Sequence, residues 1–255
     1  MKKLMACLAP ALFVSLPCFG DYNGEIGVTA GNLDFDFGAT SADGDSLGGF
    51  LQVFVGEVDT DLGPLAEAAF LDKATSWTIS YRTADFDPDE FDTSAFNLRI
   101  INNLDYIFDI AVEDNEALLG ESSSAGFGTY LNDTLAWTVN YTRFKDADLR
   151  ELSGKIHGLV NLGSSWSLAY DGVVGYIDGD DESGYRAGGG ADLFFTRNLS
   201  VGLNVEIADF GGADSVTIYR LMGEYFLYDI YHFALSYDSF DGDINTALLS
   251  ASIRF

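Results

Sequence analysis

The chain has 255 residues but only two histidines, His157 and His232. General acid–base catalysis or an activated nucleophile ordinarily needs such a group beside a Ser or a carboxylate. Neither histidine stands near a Gly-x-Ser-x-Gly or His-Glu-x-x-His pattern, so no enzyme active site is expected. The charged residues that fall into a pattern are Arg82, Arg99, Lys155, Arg186 and Arg220, with Asp109, Asp171, Asp192, Glu206 and Glu224. Each of these, like His157, takes a polar position in a run that alternates apolar and polar. Charges in that arrangement do one of two things: line a water-filled passage and set its ion preference, or pair across a closed interior.

The elements that must position them are strands. Leu199, Val201, Leu203, Val205 and Ile207 oppose Ser200, Gly202, Asn204, Glu206 and Ala208. Trp137, Val139 and Tyr141 oppose Ala136, Thr138, Asn140 and Thr142, and Tyr106, Phe108, Ile110 and Val112 oppose Asp109, Ala111 and Glu113. Such alternation marks a strand with one apolar and one polar face. The chain also ends this way: Ala247, Leu249, Ala251, Ile253 and a terminal Phe255 are the apolar set. Strands restart near Tyr106, Leu135, Trp166, Leu199 and Tyr231, about 30 residues apart, room for two membrane strands and their turns. Asn, Asp, Gly and Ser gather in the short turns between them.

Further strands are expected at 24–37, 47–57, 75–84, 93–102, 122–131, 149–162, 183–195, 215–227 and 244–255. The total is about fourteen, with twelve or sixteen also compatible; an even number leaves both ends on one side. The expected fold is all-β: a transmembrane antiparallel up-and-down barrel whose apolar set faces lipid. A soluble β-sandwich alternates too, but its strands are usually shorter and its polar face richer in Lys and Glu.

Lys2 and Lys3, an apolar run from Leu4 to Leu16 and small residues at Cys18 and Gly20 read as a cleaved signal peptide over residues 1–20. Residues 21–255 would then form the barrel. Both cysteines lie in the signal segment, so no disulfide, thiolate metal site or cysteine nucleophile is expected. Losing Lys2 and Lys3 lowers the 13 basic residues to 11 against 40 acidic ones, and moves the formal charge from -27 to -29. Nucleic acid is a poor partner for such a chain. With 47% hydrophobic and 14% aromatic residues it is not disordered either. No later stretch is long and apolar enough for a transmembrane helix.

Acid concentrates on one set of connections: Asp43 and Asp45; Asp85, Asp87, Asp89, Glu90 and Asp92; Asp114, Glu116 and Glu121; Asp146 and Asp148; Asp178, Asp180, Asp181 and Glu182; Asp241 and Asp243. With a periplasmic N-terminus these are extracellular loops. They form a solvated, self-repelling rim, or bind divalent cations through oxygen ligands that bridge to lipopolysaccharide. The rim would attract cations to a pore.

The stretch Val58-Asp59-Thr60-Asp61-Leu62-Gly63-Pro64-Leu65-Ala66-Glu67-Ala68-Ala69-Phe70-Leu71-Asp72-Lys73-Ala74 breaks the hairpin rhythm and reads as a turn plus a short amphipathic piece. Here the sequence resembles the general porins of Gram-negative gammaproteobacteria. The resemblance implies an exported outer-membrane pore that passes ions and small hydrophilic solutes. It implies no cofactor or catalytic residue, and a terminal Phe255 read by the barrel assembly machinery. The pore-lining residues would be Arg82, Arg99, Asp109, Lys155, His157, Asp171, Arg186, Asp192, Glu206, Arg220 and Glu224, with a preference for cations. A non-conducting surface barrel with cation-binding loops is the alternative. Oligomeric state is open. No long loop is expected to fold into the lumen as a constriction.

Overall fold

The computed structural model describes residues 21–36, 41–86, 89–116, 120–163, 165–179, 183–210, 215–241 and 244–255. The signal segment 1–20 lies outside them, as do Phe37, Asp87, Asp180, Asp181, Glu182 and Asp243. The strands are β1 (Tyr22–Asp36), β2 (Ser41–Val58), β3 (Ser76–Phe86), β4 (Asp89–Ile101) and β5 (Tyr106–Asn115). They continue as β6 (Gly120–Asn132), β7 (Leu135–Phe144), β8 (Leu149–Asn161), β9 (Ser167–Asp178) and β10 (Ser183–Thr196). The last are β11 (Leu199–Phe210), β12 (Val216–Leu227), β13 (Tyr231–Phe240) and β14 (Ile244–Arg254). One short helix, α1 (Ala68–Leu71), interrupts them.

Every strand is antiparallel to its sequence neighbours, and β14 pairs with β1 to close the sheet. Closure leaves no open edge, which a sheet in hydrocarbon cannot tolerate. The seam runs from Glu25↔Arg254 to Phe35↔Ile244. Strand alternation then sorts the side chains as expected. Val174 (66% exposed), Leu235 (60%) and Leu152 (56%) project outward with the other exposed apolar residues. Water would penalise that surface and lipid would not, so the sandwich is excluded. Tyr81, Tyr141, Tyr176, Tyr185, Tyr219 and Tyr237 ring the outer face toward the rim away from the chain ends, where amphipathic rings suit a membrane interface.

The far-rim strand ends are longer than the sequence suggests. Asp43, Asp45, Asp85, Glu90, Asp92, Asp114, Glu121 and Asp178 lie within ladders, not in loops. Beyond the apolar band the sheet continues into water, where acidic side chains cost little. At the other rim, turns use the left-handed region: Asp105 has φ 64°, and Tyr228 and Asp229 have φ 54° and 62°.

The largest departure is residues 59–75. They do not hang below the terminal rim as a plain turn; they fold up into the barrel mouth, correcting the expectation that no segment constricts the lumen. Val58, Leu65 and Ala68 are fully buried, Ala68 with Val58 against Tyr22 and Phe54. Ala66 and Leu71 pack on Leu159, Ala169 and Phe194 of the opposite wall. The short apolar piece finds its dry partner inside the barrel.

Candidate functional site: the barrel interior and the segment across it

Local chemistry shapes the segment. The Asp59 carboxylate accepts from Asp61 N–H (2.8 Å) and caps a single turn at Thr60–Leu62. Pro64 starts a second turn at Leu65–Glu67, which runs into α1. Both walls hold the piece. Leu65 N–H donates to the Arg197 carbonyl (2.9 Å), and Arg197 Nη2 donates to the Thr60 carbonyl (2.7 Å). The Tyr130 hydroxyl donates to the Phe70 carbonyl (2.9 Å), with the two rings stacked at 5.2 Å. Glu67 meets His157 at 2.7 Å. Lys73 bridges Asp105 and Asp133, both at 3.1 Å, below the barrel. Burial would lower the Lys73 pKa, but hydrogen bonds and charge from the two aspartates outweigh it and hold the ammonium above its usual range.

Above this floor the strands present the charged set. Ladder parity puts all eleven residues expected to line a passage on the inner face: Arg82 of β3, Arg99 of β4, Asp109 of β5, Lys155 and His157 of β8, Asp171 of β9, Arg186 and Asp192 of β10, Glu206 of β11, Arg220 and Glu224 of β12. Many are tied in pairs. Arg99 grips Asp109 through two bonds of 2.8 and 3.0 Å. Arg186 lies 2.8 Å from Glu151 and 3.5 Å from Glu206. Asp171 accepts from Asn204 at 3.2 Å. Arg82 and Lys155 make no ion pair among the described residues.

Sequence reading missed several partners. Arg220 holds Asp238 through bonds of 2.7 and 2.9 Å. Arg254 donates to Glu25 (3.0 Å) and to the Leu65 carbonyl (3.1 Å). Its guanidinium lies between the rings of Tyr22 and Phe226, at 4.4 and 4.3 Å. His232 sits between Glu25 (3.2 Å) and Glu224 (3.4 Å). Glu25↔Arg254 was legible once β1 and β14 are paired, since both then fall on the inner face of the seam. Glu151 shares the inward parity of Lys155 and His157 on β8, whereas Glu67, outside the strands, carried no such signal.

Cavities lie beside the segment inside the barrel. One of about 520 Å³ is lined by Glu67, Phe70, Arg99, Tyr130, Lys155, His157, Asp171 and Arg186. Another of about 380 Å³ is lined by Glu25, Phe50, Ala66, Glu224, His232 and Arg254. Both cavities mix cations with carboxylates. Among the described residues no group of acidic or imidazole side chains is arranged to hold a metal ion.

The geometry defines a class: a closed fourteen-stranded barrel with an apolar outside and a charged interior. Solved structures resemble this fold. The outer membrane protein Omp33 of Acinetobacter baumannii is 21% identical, with a TM-score of 0.70 over 93% of this chain and 100% of that one. A bacterial polysaccharide outer membrane secretin is 12% identical, with a TM-score of 0.55 over 92% of this chain and 99% of that one. At such identities the likeness is one of fold. No protein-family model and no curated protein matches the chain.

Proposed function

We propose that the protein is an outer-membrane porin, exported by residues 1–20 and narrowed by the segment 59–75. It passes ions and small hydrophilic solutes by diffusion. One observation carries this reading: charged side chains stand on the inner faces of β1, β3–β5 and β8–β14, while the outer face carries the exposed apolar side chains. Small barrels of about eight strands fill with side chains and those of about sixteen hold aqueous channels. Fourteen strands leave room for water around the segment. The termini then mark the periplasmic rim, and the acidic strand ends face outward from the cell. These carboxylates favour cations at the entrance.

One observation favours a second reading, a non-conducting barrel: the segment joins opposite walls and buries Val58 and Leu65 fully. Planar-bilayer recording of the refolded mature chain separates the two. Steps whose size grows with salt support the pore; silence from a correctly folded, heat-modifiable barrel supports the closed one. Lys155, an inner-face cation without an ion pair, is the sharper selectivity probe. Lys155→Glu should move the reversal potential toward cations. The paired Arg99 and Arg220 should report less cleanly, because replacing either also frees an aspartate.

A further inference from the structure

Among the described residues, the outer surface carries two unpaired cations at one place. Arg143 of β7 and Arg150 of β8 are direct partners across their ladder. By parity they share the outer face with Tyr141 and Leu152, both exposed there. Each arginine is exposed, and neither makes an ion pair among the described residues. Like charges directly opposite one another repel and weaken a sheet. Every other basic side chain of the described strands faces inward. Lys145, in the turn between these two strands, is already bound to Glu121 at 2.6 Å.

We propose that Arg143 and Arg150 bind the phosphate of a multiply acylated glycolipid of the outer leaflet, of the lipid A class. Guanidinium groups match phosphate oxygens in two-pronged geometry, and a bridging phosphate relieves their mutual repulsion. The surface beneath suits acyl chains. Tyr141 and Leu152 lie one outward-facing step deeper, followed by Gly154, whose missing side chain would meet nothing nearer than Val174 at 4.0 Å. A shallow apolar track thus starts under the pair. The surrounding charge selects a membrane-anchored ligand. Asp178 pairs with Arg150 in the next ladder, and Asp146 and Asp148 occupy the adjoining turn. These carboxylates repel free anions, whereas a lipid phosphate is delivered by its chains at high local concentration. The inference rests on outer-membrane location and not on conduction, so a closed barrel would keep the site.

Native mass spectrometry of the refolded barrel, with diphosphoryl lipid A added to neutral detergent, tests it. Retention of one lipid A should fall at least tenfold in R143Q/R150Q and persist in R82Q, which removes an inner-face charge. R143K/R150K keeps charge without the fork and should retain an intermediate amount; it also serves if the glutamine variant folds poorly. Equal retention by wild type and the charge-removed variant overturns the proposal. Equal retention of phosphatidylglycerol would show a generic anionic-lipid belt, and displacement by millimolar inorganic phosphate a free-anion site; either result overturns the lipid A assignment.

Discussion

Arg254 is the residue on which the closed seam and the inner segment converge. It is 5% exposed and Glu25 6%. The Glu25 carboxylate also accepts from the Ser252 hydroxyl and faces His232. Removing one partner of a buried ion pair costs about 3–5 kcal/mol, because the other charge stays buried, while replacing both can be nearly neutral. R254M should therefore lower the free energy of unfolding by about that amount, and E25Q/R254M should recover most of it. Equilibrium urea unfolding in detergent micelles measures both. A single variant as stable as wild type would remove the network from any role in stability. The charge at each position was visible as a polar residue in an apolar alternation. Its partner was visible where strand pairing sets two such positions directly opposite, as with Arg99 and Asp109 across a tight turn or Glu25 and Arg254 across the closing seam.

On the proposed pore reading, the element that sets conductance is the stretch from residue 59 to 75. Its ties to the walls are specific and include Glu67 to His157, Phe70 to Tyr130, Leu65 to Arg197 and Arg254, Thr60 to Arg197, and Lys73 to Asp105 and Asp133. The flanking strands do not need it, since β2 and β3 pair from Phe54↔Ser76 to Asp45↔Asp85 without its help. Replacing residues 60–73 by Asn-Gly should leave a folded barrel with conductance raised several-fold. Conductance equal to wild type would place the narrowest point elsewhere. The amphipathic character of the segment was readable from Leu65, Ala68, Ala69 and Leu71. Its direction was not, because an apolar stripe seeks any dry surface, and a lumen wall competes with lipid and with the turn itself.

At the scale of the whole molecule, the barrel depends on one long-range seam. Phe255 N–H donates to the Gly24 carbonyl (2.9 Å), and its own carbonyl accepts from Asn23 (2.7 Å) and Gly24 (2.9 Å). The aromatic ring lies over Gly24, where a Cβ would approach it to 2.6 Å. Overpacking of this kind typically costs about 1–3 kcal/mol. Gly24→Leu should lower stability by about that amount and slow the appearance of the heat-modifiable form on refolding. An unchanged refolding rate and midpoint would show that the seam tolerates displacement of the ring. The same contact gives the chain end a structural role beside the proposed recognition of Phe255 during assembly.

The sequence by itself determined the faces of the strands and the closing pair, and put their number at about fourteen with twelve and sixteen also compatible. The reason is local: alternation has a period of two, and a layer without water enforces it in every crossing strand. Tertiary structure alone decided which charges meet beyond direct ladder partners, and where residues 59–75 go. Glu67 and His157 are 90 positions apart, and Phe70 and Tyr130 60. Contacts at such separations depend on register and closure summed around the whole barrel, and no local pattern contains that sum.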